Sequence, residues 1–271
     1  MLSVYTEKPY NLRKCKNCSN VFTSPMPEGA ELGHIYEHEY NYEVHKLIIN
    51  EKKYRAKKFA NYIKKTKGVK KVLEIGCMYG FLLEEFKNTD IEATGVELNK
   101  EAATEGQKKG LNIINSSFED FLKSYNEKYD LAVMSHSLEH IGDPAKELEK
   151  LSQILNPGGR LLIIVPNAAS LTAKIFGKNW GYWQVPVHIN HFDKKSLGYL
   201  LENSGYTLEK SKRAGGDSLL FLSIVANMLG MKSTDVELKG LKAKIIQLYS
   251  AIVKYWYMLG DEDLITLAKK R

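Results

Sequence analysis

Val72-Leu73-Glu74-Ile75-Gly76-Cys77-Met78-Tyr79-Gly80, then an amphipathic stretch, a second apolar segment and Glu97, reads as strand, tight turn, helix and strand, with an acid closing the second strand. An apolar strand running into a glycine turn and a helix opens a doubly wound α/β sheet. Glycines at 76 and 80 let the backbone pass close to a ligand where a Cβ would collide. Glu97 is placed to grip two ribose hydroxyls through charge-assisted hydrogen bonds. A nucleoside-containing cofactor is the first expectation.

The alternation continues on both sides of this stretch. A helix is expected from about Tyr42 to Lys67, strands near 71–76, 92–97, 112–115, 130–135 and 160–166, and helices starting near Gly80, Asn99, Glu119 and Pro144. Asp143 before Pro144 is a strong helix start, an N-cap followed by a proline that needs no amide. Asn156-Pro157-Gly158-Gly159 reads as a turn feeding the strand at 160. A helix from Lys194 to Asn203, a strand from Tyr206 to Ser211 and a last strand from Leu264 to Lys269 complete the pattern.

The order of these signals resembles that of the class I S-adenosylmethionine-dependent methyltransferases. The resemblance rests on Glu74-x-Gly76-x-x-x-Gly80, Glu97, Asp130, Leu138-Glu139-His140-Ile141-x-Asp143-Pro144 and Pro157-Gly158-Gly159, and extends over about Lys70 to Arg271. Between Pro166 and Tyr206, Ala169-Ser170-Leu171, Phe176-Gly177, Trp180, Pro186-x-His188-x-x-His191-Phe192 and Ser196-Leu197 resemble the small-molecule branch related to quinone-biosynthesis and sugar methyltransferases. The resemblance implies an α/β, doubly wound, Rossmann-like seven-stranded sheet whose last strand is antiparallel, with S-adenosyl-L-methionine as cofactor. It implies cofactor contacts from Glu74, Gly76, Cys77, Gly80, Glu97, Leu98, Ser117, Phe118, Ser135 and His136. The family usually has glycine where Met78 stands; methionine costs little there if its φ is negative, and otherwise shifts or weakens the methionine end of the site. Relatives often carry an acid at the position of Ser117, so adenine recognition is expected to lean on the Phe118 amide and ring.

Methyl transfer asks mainly for alignment of a nucleophile with the methyl group and exclusion of water. A hydroxyl acceptor must also lose a proton, and histidine is the best-matched base. His188 and His191 follow the fifth strand of the fold beside Trp180, Tyr182 and Trp183, which could wall an apolar acceptor pocket. These two histidines and His136, near the sulfonium, are the catalytic candidates. His136, Glu139 and His140 stand at i, i+3 and i+4; a divalent metal is the alternative to a structural role there, and no metal is assigned.

The 271 residues are divided as a knuckle-like segment over 1–40 and a methyltransferase domain over 41–271, the latter with a helical insertion at about 217–259. Cys15-x-x-Cys18 could present two thiolates to zinc, but a closed site needs four ligands, which His34 and His38 would have to complete. Leu219 to Met231 is apolar nearly all round. The helical insertion is read as packing over the substrate cleft or a neighbouring helix, with a homodimer surface or peripheral contact with a lipid-linked substrate as alternatives.

The formal charge of +7 comes mainly from lysines concentrated between Lys46 and Lys71 and near the C-terminus. They recur among Leu47, Ile48, Phe59 and Ile63 at helical spacing, so they read as a solvated face rather than a nucleic-acid footprint. No apolar run is long enough to cross a bilayer, no signal-peptide pattern opens the chain, and three cysteines fit a reducing compartment, so a cytoplasmic location is expected. The expected activity is O-methylation of a small hydroxylated acceptor such as a sugar or quinone-like precursor. An RNA methyltransferase and a degenerate binding module without catalysis are the alternatives.

Overall fold

A computed structural model describes residues 9–27, 42–215 and 260–271. The 217–259 insertion and the His34 and His38 positions lie outside the described residues. In chain order the elements are β1 (Asn11–Lys14), β2 (Val21–Ser24), α1 (Tyr42–Lys64), β3 (Lys71–Ile75), α2 (Phe81–Glu84), β4 (Glu92–Glu97), α3 (Lys100–Lys108) and β5 (Ile113–Asn115). There follow α4 (Phe118–Ser124), β6 (Tyr129–Ser135), α5 (Pro144–Ile154), β7 (Leu155–Pro166), α6 (Leu171–Phe176), β8 (Asn190–His191), α7 (Lys194–Asn203), β9 (Tyr206–Ala214) and β10 (Asp263–Lys270). Among the described residues no helix is long and apolar enough to cross a membrane.

The chain gathers into two units. One takes Met1–Ile48, Pro166–Ser196 and Lys212–Leu264, and the other takes Ile49–Val165, Leu197–Ser211 and Ile265–Arg271. The second unit carries most of a seven-stranded sheet in the order β5-β4-β3-β6-β7-β10-β9. β3 lies parallel to both β4 and β6, and the last strands turn antiparallel. Being central and covered on both faces, β3 is apolar without alternation, and Val72, Leu73, Glu74 and Ile75 are all buried.

Ala56, Ala60 and Ile63 recur at helical spacing on α1 and pack on Val72, Leu131, Val133, Leu162, Ile164 and Leu267 of the sheet. Burial of each larger side chain contributes about 1.5–3 kcal/mol. Asp143 caps α5 by accepting the Lys146 amide at 3.1 Å, with Pro144 at the first helical turn.

One local expectation differs. Residues 156–159 are an excursion within β7 rather than a turn before it: Tyr129 pairs with Leu155, and the ladder resumes with Leu131 against Arg160. Asp130 holds that excursion, accepting Asn156 Nδ2 at 2.7 Å and the amides of Lys70 and Lys71 at 2.8 and 2.9 Å. α2 has only four residues, because the bonds of Glu85, Phe86 and Lys87 run to carbonyls three residues back, and Asn88 turns out of the helix with φ 60°.

The first unit contains a three-stranded sheet, β1-β2-β8, all antiparallel. The Cys15–Cys18 segment is the turn of its hairpin. Asp193 and Ser196 form a reciprocal capping box at the start of α7: the Ser196 amide donates to Asp193 Oδ1 at 2.7 Å and the Asp193 amide to Ser196 Oγ at 3.0 Å.

Candidate active site

Parallel pairing brings the ends of β3, β4 and β6 side by side, where an open α/β sheet binds its ligands. Gly76 leaves β3 with φ 73°, and its amide donates to Val96 O at 2.9 Å. A Cβ there would stand 3.0 Å from the Ser137 Cβ. Gly80 precedes α2 with φ 72°, and a Cβ there would meet Leu111 Cδ1 at 2.6 Å and Ile113 Cδ1 at 2.9 Å. Cys77 turns inward against Gly95, whose added Cβ would lie 2.4 Å from its Sγ, and burial pushes the Cys77 thiol pKa far up. The Cys77 side chain is thus core, and only its backbone belongs to the turn.

Met78 has φ 49°, so the negative φ at which a methionine costs little there is not the one adopted. A left-handed backbone costs a non-glycine residue about 1–2 kcal/mol. It aims the Met78 amide at Glu97 Oε2, 2.8 Å away, while Glu97 Oε1 accepts the Asn99 amide at 2.7 Å. Burial pushes the Glu97 pKa up, against the pull of those amides. Each carboxylate oxygen accepts two hydrogen bonds, so a fixed Glu97 can still receive a pair of vicinal hydroxyls. Beside it Glu74 is buried with Oε2 unpartnered, and its pKa is pushed up to about 8 by burial and by the Glu97 charge.

Leu98, 64% exposed, follows Glu97 with its side chain open to solvent. The Ser117 hydroxyl caps α4, accepting the Asp120 amide at 3.1 Å and donating to Asp120 Oδ2 at 2.8 Å. The Phe118 ring is buried and stacked on Phe121 with centroids 6.3 Å apart, so the first-turn amides of α4 are the polar groups that segment offers. Ser135 ends β6 opposite Ile164.

His136 follows with φ 52°, its amide donating to Ile164 O at 2.8 Å. Arg55 Nη2 lies 2.9 Å from His136 Nε2. A guanidinium can only donate, so His136 Nε2 accepts and the proton sits on Nδ1, which faces the buried Glu139 Oε1 at 3.4 Å. A chain Arg55–His136–Glu139 results, with the Nε2 lone pair of His136 occupied. Lys52, one turn before Arg55 on α1, donates to Met78 Sδ at 3.4 Å. Sequence reasoning read Lys52 as part of a solvated lysine face and did not single out Arg55. The signal was there: both continue the apolar stripe of Ala56, Phe59 and Ile63, and Arg55 is the sole arginine between Lys46 and Lys71.

In the other unit His188 and His191 are buried, with ring centroids 6.4 Å apart. His188 Nδ1 is 2.8 Å from the Tyr182 carbonyl, which only accepts, so Nδ1 carries a proton. Thr23 on β2 donates its one hydroxyl proton to His188 O at 2.7 Å. The 3.3 Å contact of Thr23 Oγ1 with His191 Nε2 must therefore be donated by His191. Burial pushes the His191 pKa down to about 3, and the Trp183 ring stands edge-on to it at 4.9 Å. His191 is thus a neutral tie between β2 and β8. Trp180 and Tyr182 are buried against each other and Ala173 in a small core, with Trp180 Nε1 donating to Thr172 Oγ1 at 3.2 Å.

A family model described as a methyltransferase domain matches residues 40–211. A ubiquinone biosynthesis O-methyltransferase of Saccharophagus degradans is 26% identical over 165 residues, 56% of this chain and 70% of that protein. The corresponding protein of Vibrio atlanticus is 32% identical over 118 residues, 40% of this chain, and the chain spans about half, 49%, of its length. Among solved structures, an S-adenosylmethionine-dependent methyltransferase from Archaeoglobus fulgidus superposes with a TM-score of 0.56 at 22% identity, covering 82% of this chain and 94% of that one. A plantazolicin methyltransferase in complex with S-adenosylhomocysteine gives 0.55 at 15% identity, covering 90% and 91%. Identities this low speak to the fold alone.

Proposed function

Because the chain belongs to the class I S-adenosylmethionine-dependent methyltransferases, whose cofactor is S-adenosylmethionine, we propose that it methylates an oxygen of a small hydroxylated acceptor, a sugar or quinone-like precursor. The residues suit that cofactor: Glu97 is fixed with lone pairs to spare, and the unpartnered oxygen of buried Glu74 stands beside the same turn. S-adenosylmethionine supplies a methyl group on an already activated sulfonium. What remains for the protein is to orient the acceptor, exclude water and take a proton.

The observation that carries the oxygen-directed reading is the orientation of the buried His188 ring, whose Nδ1–H is held by the Tyr182 carbonyl. An oriented imidazole is the group that oxygen methylation calls for, since the acceptor hydroxyl must be deprotonated as it attacks. The two relatives being O-methyltransferases supports the same reading. His191 is assigned to the scaffold, and residues 41–271 to the transfer, with the segment over 1–40 as an attachment. Free Cys15, Cys18 and Cys77 support a reducing, cytoplasmic compartment.

The test is an acceptor screen over catechols, hydroxylated quinone precursors, sugars, amines and transfer RNA, scored by S-adenosylhomocysteine release. Turnover confined to hydroxylated small molecules is expected; turnover with amines or RNA alone would replace the reading.

A further inference from the structure

Of the β2 residues only Thr23 is buried, at 1% exposure. A valine has the same branched shape, so packing in the strand does not account for the hydroxyl, and a polar group buried this far costs free energy unless it is hydrogen-bonded. Its bonds account for it. The single hydroxyl proton goes to His188 O at 2.7 Å, and the same oxygen receives His191 Nε2 at 3.3 Å. The Thr23 amide donates to Ile189 O at 2.9 Å, so one residue of β2 takes two successive carbonyls of the histidine loop.

The other contacts of His188 named above are local. Its amide donates to Gln184 O at 3.0 Å and its Nδ1–H to Tyr182 O at 2.8 Å, both within the loop it belongs to. The Tyr182 bond sets the rotation of the ring, and the Thr23 bond holds the main chain from which the ring projects. That second bond arrives from an element 165 positions earlier in the chain.

We propose that Thr23 is a positioning residue for His188: its hydroxyl, acting on the His188 carbonyl, holds the imidazole in the orientation from which it takes the acceptor proton. The N-terminal hairpin thereby takes part in the transfer. Proton transfer depends on placement, and a displacement of about 1 Å costs up to about 100-fold in rate. The inference rests on the reading of His188 as base and deepens it.

A double-mutant cycle tests it, with turnover measured on the hydroxylated acceptor of highest rate in the screen above. Thr23→Val should lower kcat by about 10-fold while KM and S-adenosylhomocysteine affinity stay within about twofold. Thr23→Ser keeps the hydroxyl and should restore turnover. Thr23→Ala cuts the same bonds without steric demand and should agree with valine. In a His188→Ala background Thr23→Val should cost nothing further in kcat, because residues that act through one another are not additive. A merely structural threonine would lower turnover alike in both backgrounds. Additive losses, a loss confined to KM, an inactive Thr23→Ser or full activity in Thr23→Val and Thr23→Ala would overturn the positioning role and leave His188 as base. Full activity in His188→Ala, or no turnover with any hydroxylated acceptor, would overturn both.

Discussion

Met78 N donates to Glu97 Oε2 across 2.8 Å from a backbone held at φ 49°. The bond joins the turn after β3 to the acid that ends β4, so the two parts of the candidate nucleoside site are set by one another. The second Glu97 oxygen is fixed by Asn99, whose own side chain caps α3 by accepting the Ala102 amide at 2.9 Å. The carboxylate is thereby oriented before any ligand arrives, and the ordering cost of binding falls.

Glu97→Gln keeps the shape and removes the charge that strengthens two hydroxyl contacts. Affinity for S-adenosylhomocysteine should fall by about 10- to 100-fold. Calorimetry measures it, and an unchanged dissociation constant would remove Glu97 from the ribose contacts.

Glu74 makes stability depend on pH. Its pKa is about 8 in the folded protein against an ordinary 4.5, so the folded state holds the proton after the unfolded chain has released it. Stability from this group is complete below pH 4.5 and is lost as pH rises to about 8, at about 1.4 kcal/mol per unit. Urea denaturation across that window should show the decline in the unaltered protein and a flatter profile in Glu74→Gln. Parallel profiles would show that another group titrates.

Arg55→Met removes the donor that fixes His136 and leaves Glu139, 1% exposed, without the cationic end of its chain. A loss of about 3 kcal/mol is expected from stranding a buried charge, and Glu139→Gln in the same background should recover part of it. Urea midpoints in a double-mutant cycle give the coupling, and strictly additive losses would mean that the three groups do not act as one.

His188→Ala should lower turnover by about 100-fold or more with cofactor affinity retained, as expected for loss of a base. His191→Ala and Thr23→Val should act on the scaffold, lowering the protection of β2 amides in hydrogen exchange, because both cut the tie between β2 and β8. Full activity in His188→Ala would end its assignment as base. A selective loss of turnover in His191→Ala, with β2 protection intact, would transfer the role.

The strand at 71–75, the glycine turn, Glu97 and the capped helix at Pro144 were legible in the sequence because each is fixed locally, by apolar runs, a turn and an N-cap. The family pattern named the cofactor for the same reason: its residues keep fixed spacings around a local geometry of strand, turn and strand. The sign of φ at Met78 was not legible, since it is set by the Glu97 carboxylate nineteen positions away. Nor were Lys52 and Arg55, which differ from their lysine neighbours only in what lies opposite on the sheet. The tautomers of His136, His188 and His191 depend on Arg55, the Tyr182 carbonyl and Thr23, and a proton's position on an imidazole follows the partner presented to each nitrogen. Short-range sterics wrote the elements into the sequence; the charges and protons of the site were decided by contacts that exist only once the chain has folded.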